Sequence, residues 1–221
     1  MSFIFGNPAD LERLRIVNDG YNFTAGGLLV GNPNAITQLV MPEATSQPPI
    51  RPRNVILHTN AGPRMTPWEA LVTYWRRADI TGEPHFQVDM AGRIVQAMPV
   101  TRRADCNAKA NRWLANGTYY GAVSFETQDE GYPTLPTTPW TLPQLSAMIG
   151  ALTALVVQYG VKCTAPATWD DSGIGYHSQF PQWSIYKGKT CPGAARIRQM
   201  DHVRQQVQTR VAAYINTGGT L

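Results

Sequence analysis

Residues 54–59, with the sequence NVILHT, are the stretch that decides the fold. The three central side chains are apolar, two of them are β-branched, and the turn sequence NAGP follows at residues 60–63. An apolar run of this length bounded by a turn predicts a buried β-strand. The strand carries His58 at its carboxyl end, next to the turn.

Helical and strand-like patterns alternate downstream of this strand. Thr66 and Glu69, in the sequence TPWE, predict a capping box that opens a helix, and Thr141 and Gln144 predict a second one before an apolar helix ending at Gly160. Further patterns predict strands at residues 85–89, 93–98 and 120–127, and a last helix opened by Pro192. Interleaved strands and helices predict an α/β fold, with a central mixed β-sheet flanked by helices.

The 221 residues have room for one ordinary domain and an appendage. Residues 41–53 (MPEATSQPPIRPR) are rich in proline and predict an extended linker. We therefore expect an N-terminal extension with a linker at residues 1–52 and a main domain at residues 53–221. Because 43% of the residues are apolar and 15% are charged, the composition excludes a disordered polyelectrolyte.

The net charge is +4, and the basic residues are concentrated near the end of the chain. Residues 181–221 contain six lysines and arginines against one acid. Such an end suits nucleic acid, a membrane surface or an anionic cell-wall polymer, and charge alone does not choose among them. The sequence has no basic–aromatic motif of the kind that binds nucleic acid, so a nucleic-acid partner is not expected.

Three cysteines without a CxxC pair exclude a disulfide-stapled scaffold as the main design. The first 15 residues lack the pattern of a secretory signal, so a soluble protein is expected. Residues 145–161 (LSAMIGALTALVVQYGV) are the one candidate for a membrane span, but the segment is slightly short and contains polar residues. A buried core helix is the favoured interpretation, without membrane insertion.

His58, His177 and Cys191 are the residues most typical of a metal site. His58 ends the deciding strand, His177 lies in the sequence SGIGYH, and Cys191 lies in GKTCPG just before a predicted helix. Two imidazoles and one thiolate leave a fourth position for water, which is typical of catalytic zinc. On spacing alone the alternatives stay open: such a histidine is usually a hydrogen-bonded core or surface residue, and such a cysteine an inert apolar one.

Four segments in order, VILHTNAG, HFQVDMAGRIVQ, GAVSFET and YHSQFPQWSIYKGKTCPG, resemble the zinc-dependent N-acetylmuramoyl-L-alanine amidases. This family includes phage endolysins and is related to the peptidoglycan-recognition proteins. The resemblance runs from Arg53 to about residue 216 and implies the amidase fold, with one zinc ion held by His58, His177 and Cys191. Two departures stand out: Pro84 occupies the place of a tyrosine found in some relatives, and Cys106 lies near the place of a frequent histidine.

The resemblance also implies roles for catalytic and substrate-binding residues. Glu126 would carry the water's proton, and Lys189 would stabilise the oxyanion, although an exposed strand glutamate and a solvated surface lysine are the ordinary alternatives. Substrate-binding residues are not identified by the sequence; the candidates are Asn60, Trp113 and Trp183, the tryptophans as sugar-stacking platforms.

The implied function is hydrolysis of the amide bond between N-acetylmuramic acid and L-alanine of bacterial peptidoglycan. A phage or prophage endolysin fits best, held in the host cytoplasm without a signal peptide until the membrane is breached. The basic end could retain it near anionic wall polymers. Two alternatives remain: a non-catalytic peptidoglycan-binding module, and an intracellular amidase that recycles soluble muropeptides.

Overall fold

A computed structural model describes residues 21–23, 29–31, 36–38, 41, 46–60, 67–77, 81–129 and 138–216. The strands are β1 (Tyr21–Phe23), β2 (Leu29–Gly31), β3 (Ile36–Gln38), β4 (Arg51–Thr59), β5 (Phe86–Val88), β6 (Ile94–Gln96), β7 (Trp113–Ala115), β8 (Thr118–Thr127) and β9 (Gly173–Tyr176). The α-helices are α1 (Trp68–Trp75), α2 (Leu142–Tyr159), α3 (Ala194–Ile197) and α4 (Met200–Asn216). The predicted interleaving of strands and helices is confirmed.

In the described part of the chain, seven strands form one mixed sheet in the order β3-β6-β5-β8-β4-β9, with β7 paired to β8. The central strands β5, β8, β4 and β9 are parallel, while the β5–β6 and β7–β8 pairs are antiparallel. A parallel centre places the carboxyl ends of β8, β4 and β9 along one edge. That edge is where open α/β sheets bind their ligands.

Alternation of side chains gives the sheet two differently covered faces. Val55 and Leu57 of β4 point into the main core, with Val123 and Phe125 of β8 and the buried sides of α2 and α4. Ile56 points the other way, into a small cluster with Ala110, Ala122 and Trp183. By the same alternation, the side chains of His58 and Glu126 lie on this second face. Short 3₁₀ helices cover it rather than long α-helices.

The capping box predicted for α2 is confirmed. The Thr141 side chain accepts a hydrogen bond from the Gln144 backbone N–H, and the Gln144 side chain accepts one from the Thr141 backbone. Gly160 ends the helix with a φ of 70°, which glycine adopts without steric cost. By length and composition α2 alone among the described helices could cross a membrane, but 67% of its apolar window is buried inside the fold. The interpretation as a core helix is confirmed.

Other helix boundaries differ from prediction. Pro67, predicted as the first helical residue, instead occupies the N-cap position of α1 and provides no side-chain cap. Thr66, the predicted N-cap, lies outside the described residues. The prediction of a single last helix is wrong, because the chain forms two helices there, α3 and then α4. Strands β7 and β9 were not predicted.

The region assigned to the N-terminal extension contributes to the main sheet. Strand β3 pairs in parallel with β6, and the Met41 backbone N–H donates to the Ala97 carbonyl oxygen at 2.9 Å. Met41 is buried with Trp75 and Met98 in a small apolar cluster. Residues 36–38 and Met41 therefore lie against the sheet rather than apart from it.

His85 connects the β5–β6 hairpin to β8. It is fully buried; its Nε2 donates to the Arg102 carbonyl oxygen at 2.9 Å, and its Nδ1 accepts from the Ser124 backbone N–H at 3.1 Å. Because one ring nitrogen accepts and the other donates, the fold requires the neutral imidazole. Burial lowers the pKa of His85 to about 4, and the hydrogen bond to Arg102 opposes this only in part.

We expect His85 to make the fold less stable in acid. In the unfolded chain the imidazole takes up a proton near pH 6.5, whereas in the folded protein it stays neutral until about pH 4. The contribution of neutral His85 to the free energy of unfolding is therefore complete above pH 6.5. It falls by about 3 kcal/mol in all as the pH falls toward 4. Urea unfolding from pH 8 to pH 4.5 should show a shallower loss of stability in His85→Gln than in the unchanged protein.

His202→Gln is the matched control, because His202 is exposed on α4. All other titrating groups are common to these proteins, so the difference in slope isolates His85. Equal slopes in His85→Gln and the unchanged protein would show that the imidazole does not resist protonation.

Candidate active site

Three strand ends bring the predicted residues together. His58 of β4 and Glu126 of β8 are direct neighbours in the parallel register, so their side chains leave the same face side by side. On the other side of β4, Leu57 is the neighbour of Tyr176 in β9, and His177 follows immediately. The sheet register alone therefore places three of the predicted residues at one edge.

His58, His177 and Cys191 form a compact cluster. One nitrogen of each imidazole and the Cys191 Sγ all lie within 4.8 Å of one another, and the two ring centroids are 4.3 Å apart. The cluster is buried, with exposed fractions of 1%, 8% and 8%. The Cys191 carbonyl oxygen accepts from the Ser178 backbone N–H at 2.9 Å, which ties the two loops that carry His177 and Cys191.

The orientation of His58 is fixed by Asn107. The amide Oδ1 of Asn107 lies 2.7 Å from His58 Nε2, and since this oxygen only accepts, Nε2 carries the proton. The other nitrogen, Nδ1, faces the site and lies 3.7 Å from a Glu126 carboxylate oxygen. A proton fixed on the far nitrogen by an oxygen acceptor is the usual arrangement behind a metal-binding histidine.

The electrostatics keep both imidazoles neutral. Burial lowers the pKa of His58 well below its ordinary value, with a further lowering from His177. Burial, assisted by Lys189, lowers the pKa of His177 to about 4. His177 Nε2 is buried, and no hydrogen-bond partner for it is present in the described part of the chain.

Cys191 is a buried free thiol. Burial and the nearby Glu126 raise the pKa of the thiol, while the Thr59 backbone N–H, Lys189 and Arg196 act in the opposite direction. The Thr59 N–H donates to Sγ at 3.2 Å. Two neutral imidazoles, one with an unpartnered buried nitrogen, and a converging sulfur fit a zinc ion, which takes nitrogen and sulfur ligands.

Glu126 is partly buried beside the cluster, and its side chain is 15% exposed. Its Oε2 atom is buried and has no hydrogen-bond partner among the residues the structure describes. Burial raises the pKa of Glu126 to about 8, Lys189 and Arg196 oppose this, and Asp129 adds to it. The ordinary alternative, a solvated strand glutamate, does not describe this side chain.

Lys189 lies at the rim of a cleft that opens from the cluster. The cleft has a volume of about 450 Å³, and its lining includes His177, Cys106, Asn111, Ile185 and Lys189. The Lys189 Nζ lies 5.3 Å from the ring centroid of Tyr186, a cation–π distance. Lys189 is exposed, yet it is among the charges that act on Glu126, His177 and Cys191.

The three candidate substrate-binding residues fare differently. Asn60 is half-buried just beyond β4, and its Oδ1 atom has no partner within the described ranges. Trp113 is half-buried against Trp169, with ring centroids 5.5 Å apart. Trp183 is fully buried and donates from Nε1 to the Trp169 carbonyl oxygen, so its ring has no exposed face on which a sugar could stack.

Sequence reasoning missed Asn107, Thr59 and Arg196, which contact the cluster or the residues beside it. Nothing in their sequence context separates them from ordinary polar residues. Arg196 was counted with the basic end of the chain, but it is 1% exposed. Arg204 is 13% exposed and bonds to Asp201 at 2.8 Å, so the basic surface of this end is smaller than the sequence predicts.

Comparison with solved structures shows this fold in proteins named as N-acetylmuramoyl-L-alanine amidases and endolysins. The chain is similar to the N-acetylmuramoyl-L-alanine amidase LysC from Clostridium intestinale URNW, with 15% identity, a TM-score of 0.53 and coverage of 78% of this chain and 97% of that one. It is similar to PlyL, with 17% identity, a TM-score of 0.51 and coverage of 79% and 96%. It is also similar to a mutant endolysin from Bacillus subtilis, with 17% identity, a TM-score of 0.51 and coverage of 80% of this chain and 97% of that one.

Comparison with curated protein sequences gives no match. A family model does match residues 47–194, more than half of the chain, and its description is N-acetylmuramoyl-L-alanine amidase. The matched range contains β4, β8 and β9 together with His58, Glu126, His177 and Cys191. The chain belongs to the N-acetylmuramoyl-L-alanine amidase family.

Proposed function

We propose that the protein is a zinc-dependent peptidoglycan hydrolase that cleaves the amide bond between N-acetylmuramic acid and L-alanine of the stem peptide. The observation that carries the proposal is the convergence of His58, His177 and Cys191 within 4.8 Å, with Glu126 on the neighbouring strand. Family membership supports the bond, and the donor set supports zinc.

In this proposal one zinc ion is held by a nitrogen of each imidazole and by the Cys191 sulfur. A zinc ion bound there lowers the pKa of a coordinated water to about 7 and polarises a carbonyl oxygen. Asn107 holds His58 with its proton on Nε2, which leaves Nδ1 free to bind. The buried surroundings keep both imidazoles neutral, as ligands must be.

Glu126 moves the proton. As the water oxygen bonds to the scissile carbonyl carbon, a carboxylate oxygen of Glu126 accepts the water's proton, and the same group later gives it to the departing L-alanine nitrogen. Burial raises the pKa of this carboxyl group toward neutral pH, which suits a group that takes up a proton and gives it back. Lys189, on the cleft rim, donates to the oxygen that gains negative charge.

The biological setting we propose is that of a phage or prophage endolysin. Two of the similar structures are named as endolysins. Such an enzyme accumulates in the host cytoplasm and reaches the cell wall after the membrane is breached. The exposed cations that remain near the end of the chain would then meet the anionic polymers of the wall.

The test is digestion of purified peptidoglycan with and without a zinc chelator. We expect the untreated protein to release a free lactyl carboxyl on muramic acid and a free L-alanine amine, both identified by mass spectrometry. Chelation should abolish the release and added zinc should restore it, because the cluster binds one ion.

Three other outcomes decide against the proposal. Full activity in metal-free protein would reject the zinc mechanism. Binding to the wall without any cleavage would favour a non-catalytic module. Activity on soluble muropeptides but not on intact sacculi would favour a recycling amidase over an endolysin.

A further inference from the structure

Arg196 is a buried arginine directly behind the active site. It follows Cys191 by five residues, lies in α3, and is 1% exposed. Arginine is almost never fully buried unless its donors are satisfied by partners. The placement of this guanidinium therefore calls for a reason in its contacts.

The contacts of Arg196 join the two central strands. Nη1 donates to the Thr59 Oγ1 at 2.8 Å and to the Thr127 Oγ1 at 2.9 Å, and Nη2 donates to the Gln128 carbonyl oxygen at 2.9 Å. Thr59 directly follows His58, and Thr127 directly follows Glu126. The planar fork of a guanidinium is suited to holding several acceptors in fixed positions at once.

Both threonines also form hydrogen bonds with residues of the cluster. The Thr59 backbone N–H donates to the Cys191 Sγ at 3.2 Å, and its hydroxyl donates to the Asp129 Oδ2 at 2.7 Å. The Thr127 hydroxyl donates to the His58 carbonyl oxygen at 2.5 Å. Each threonine hydroxyl thus accepts from Arg196 and donates onward, so neither can rotate without breaking a buried hydrogen bond.

Trp140 closes the remaining side of this network. Its indole Nε1 donates to the Thr127 Oγ1 at 2.9 Å, and its ring centroid lies 5.9 Å from the central carbon of the guanidinium. Trp140 is 2% exposed, which keeps water from the network. Removing a partner would leave buried donors or acceptors unsatisfied.

We infer that Arg196 is a positioning residue for the zinc site, holding Thr59 so that its backbone N–H faces Cys191 and locking the strand ends that carry His58 and Glu126. The inference rests on the proposed function, because it concerns the affinity of the zinc ion proposed there. Arg196 touches neither the metal nor the substrate. Its effect on chemistry passes through Thr59 and Thr127.

The experiment measures zinc affinity by competition with a chromophoric chelator in the full chain. Residues behind metal ligands commonly contribute about 10- to 100-fold to affinity, and we expect a loss of this size in Arg196→Gln. Cobalt(II) bound in place of zinc should show a weaker thiolate charge-transfer band in the same variant. Arg204→Gln is the matched control, because Arg204 donates to the Ile174 carbonyl oxygen and to Asp201 and not to a residue that adjoins or contacts a cluster member.

Thr59→Val and Thr59→Ser keep the inference testable if Arg196→Gln does not fold. Valine has the shape of threonine without its hydroxyl, so Thr59→Val should weaken zinc binding, and Thr59→Ser should retain it. Arg204→Gln should bind zinc as the unchanged protein does, even where its unfolding midpoint falls.

Three results would overturn the inference. The first is a zinc affinity in Arg196→Gln or Thr59→Val equal to that of the unchanged protein. The second is an equal loss of zinc affinity in Arg204→Gln, which would mean that lower stability alone weakens zinc binding. Absence of zinc binding in the unchanged protein would overturn the proposed function itself, and the inference with it.

Discussion

Glu126→Gln is expected to lower turnover of peptidoglycan by about 100- to 10,000-fold, the range typical of losing a general acid–base group. Glutamine has nearly the same shape as glutamate but cannot take up the water's proton. Zinc content should be unchanged, because the cluster of His58, His177 and Cys191 is intact in the variant. The measurement is the rate of amine release from purified cell walls together with the zinc content of the variant.

The fold should not suffer from this substitution. Burial raises the pKa of Glu126 to about 8, so the folded state disfavours the charged carboxylate that the unfolded chain carries above its ordinary pKa of 4.5. Replacing Glu126 by glutamine removes this loss of folding free energy, which grows as the pH rises. At pH 7 and above, Glu126→Gln should therefore unfold at the same urea concentration as the unchanged protein or at a higher one. Glu69→Gln, at an exposed position on α1, is the matched control and should leave turnover unchanged. Near-normal rates in Glu126→Gln would remove the assigned role.

Cys191→Ser is expected to lower zinc affinity by more than the 10- to 100-fold typical of a change behind a ligand. The thiolate is a strong zinc ligand, whereas a serine hydroxyl keeps its proton near neutral pH and binds zinc poorly. Wall hydrolysis should fall with the zinc content and return in part at high zinc concentration. The measurement is zinc affinity by chelator competition, with turnover measured at saturating zinc.

Lys189→Ala separates metal binding from catalysis. Lys189 is exposed on the cleft rim, so its removal should lower turnover while leaving zinc affinity close to that of the unchanged protein. Cys163→Ser is the control for cysteine chemistry, because Cys163 is a half-buried free thiol that packs against the main core. If Lys189→Ala loses more zinc affinity than Cys191→Ser, the two roles are reversed.

The central strands could be predicted because their physical signals are local. Residues 55–57 are apolar and two of them are β-branched, and β4 forms there; apolar residues 122, 123 and 125 likewise lie in β8. Since the two strands are parallel neighbours, His58 and Glu126 lie side by side by register alone. Prediction of the Thr141 and Gln144 capping box succeeded for the same reason, because every participant lies within four residues.

Strand β9 could not be predicted because its sequence, GIGY, has the composition of a loop. Its glycines are required by close packing: a Cβ on Gly173 would lie 2.6 Å from the Pro166 nitrogen, and one on Gly175 would lie 2.5 Å from the Trp183 ring. Those contacts join residues that lie apart in sequence. The local sequence pattern therefore does not predict these contacts.

The residues around the cluster escaped prediction for a related reason. Asn107 lies 49 residues from His58, and Arg196 lies 137 residues from Thr59, so each meets its partner only in the folded chain. Both are residue types that are common on surfaces. Arg196 even falls in the basic end of the sequence, where a solvated side chain is the natural expectation.

The register of β4 and β8 has a consequence for engineering. The spacing between His58 and Glu126 is set by the backbone ladder of neighbouring strands, about 4.8 Å apart, and not by any loop. The 13 residues between His177 and Cys191 instead form a connecting segment, and several of them line a cleft beside His177. Exchanging exposed residues of this segment, such as Ile185 and Tyr186, should therefore change what the cleft admits, while His58 and Glu126 keep their separation.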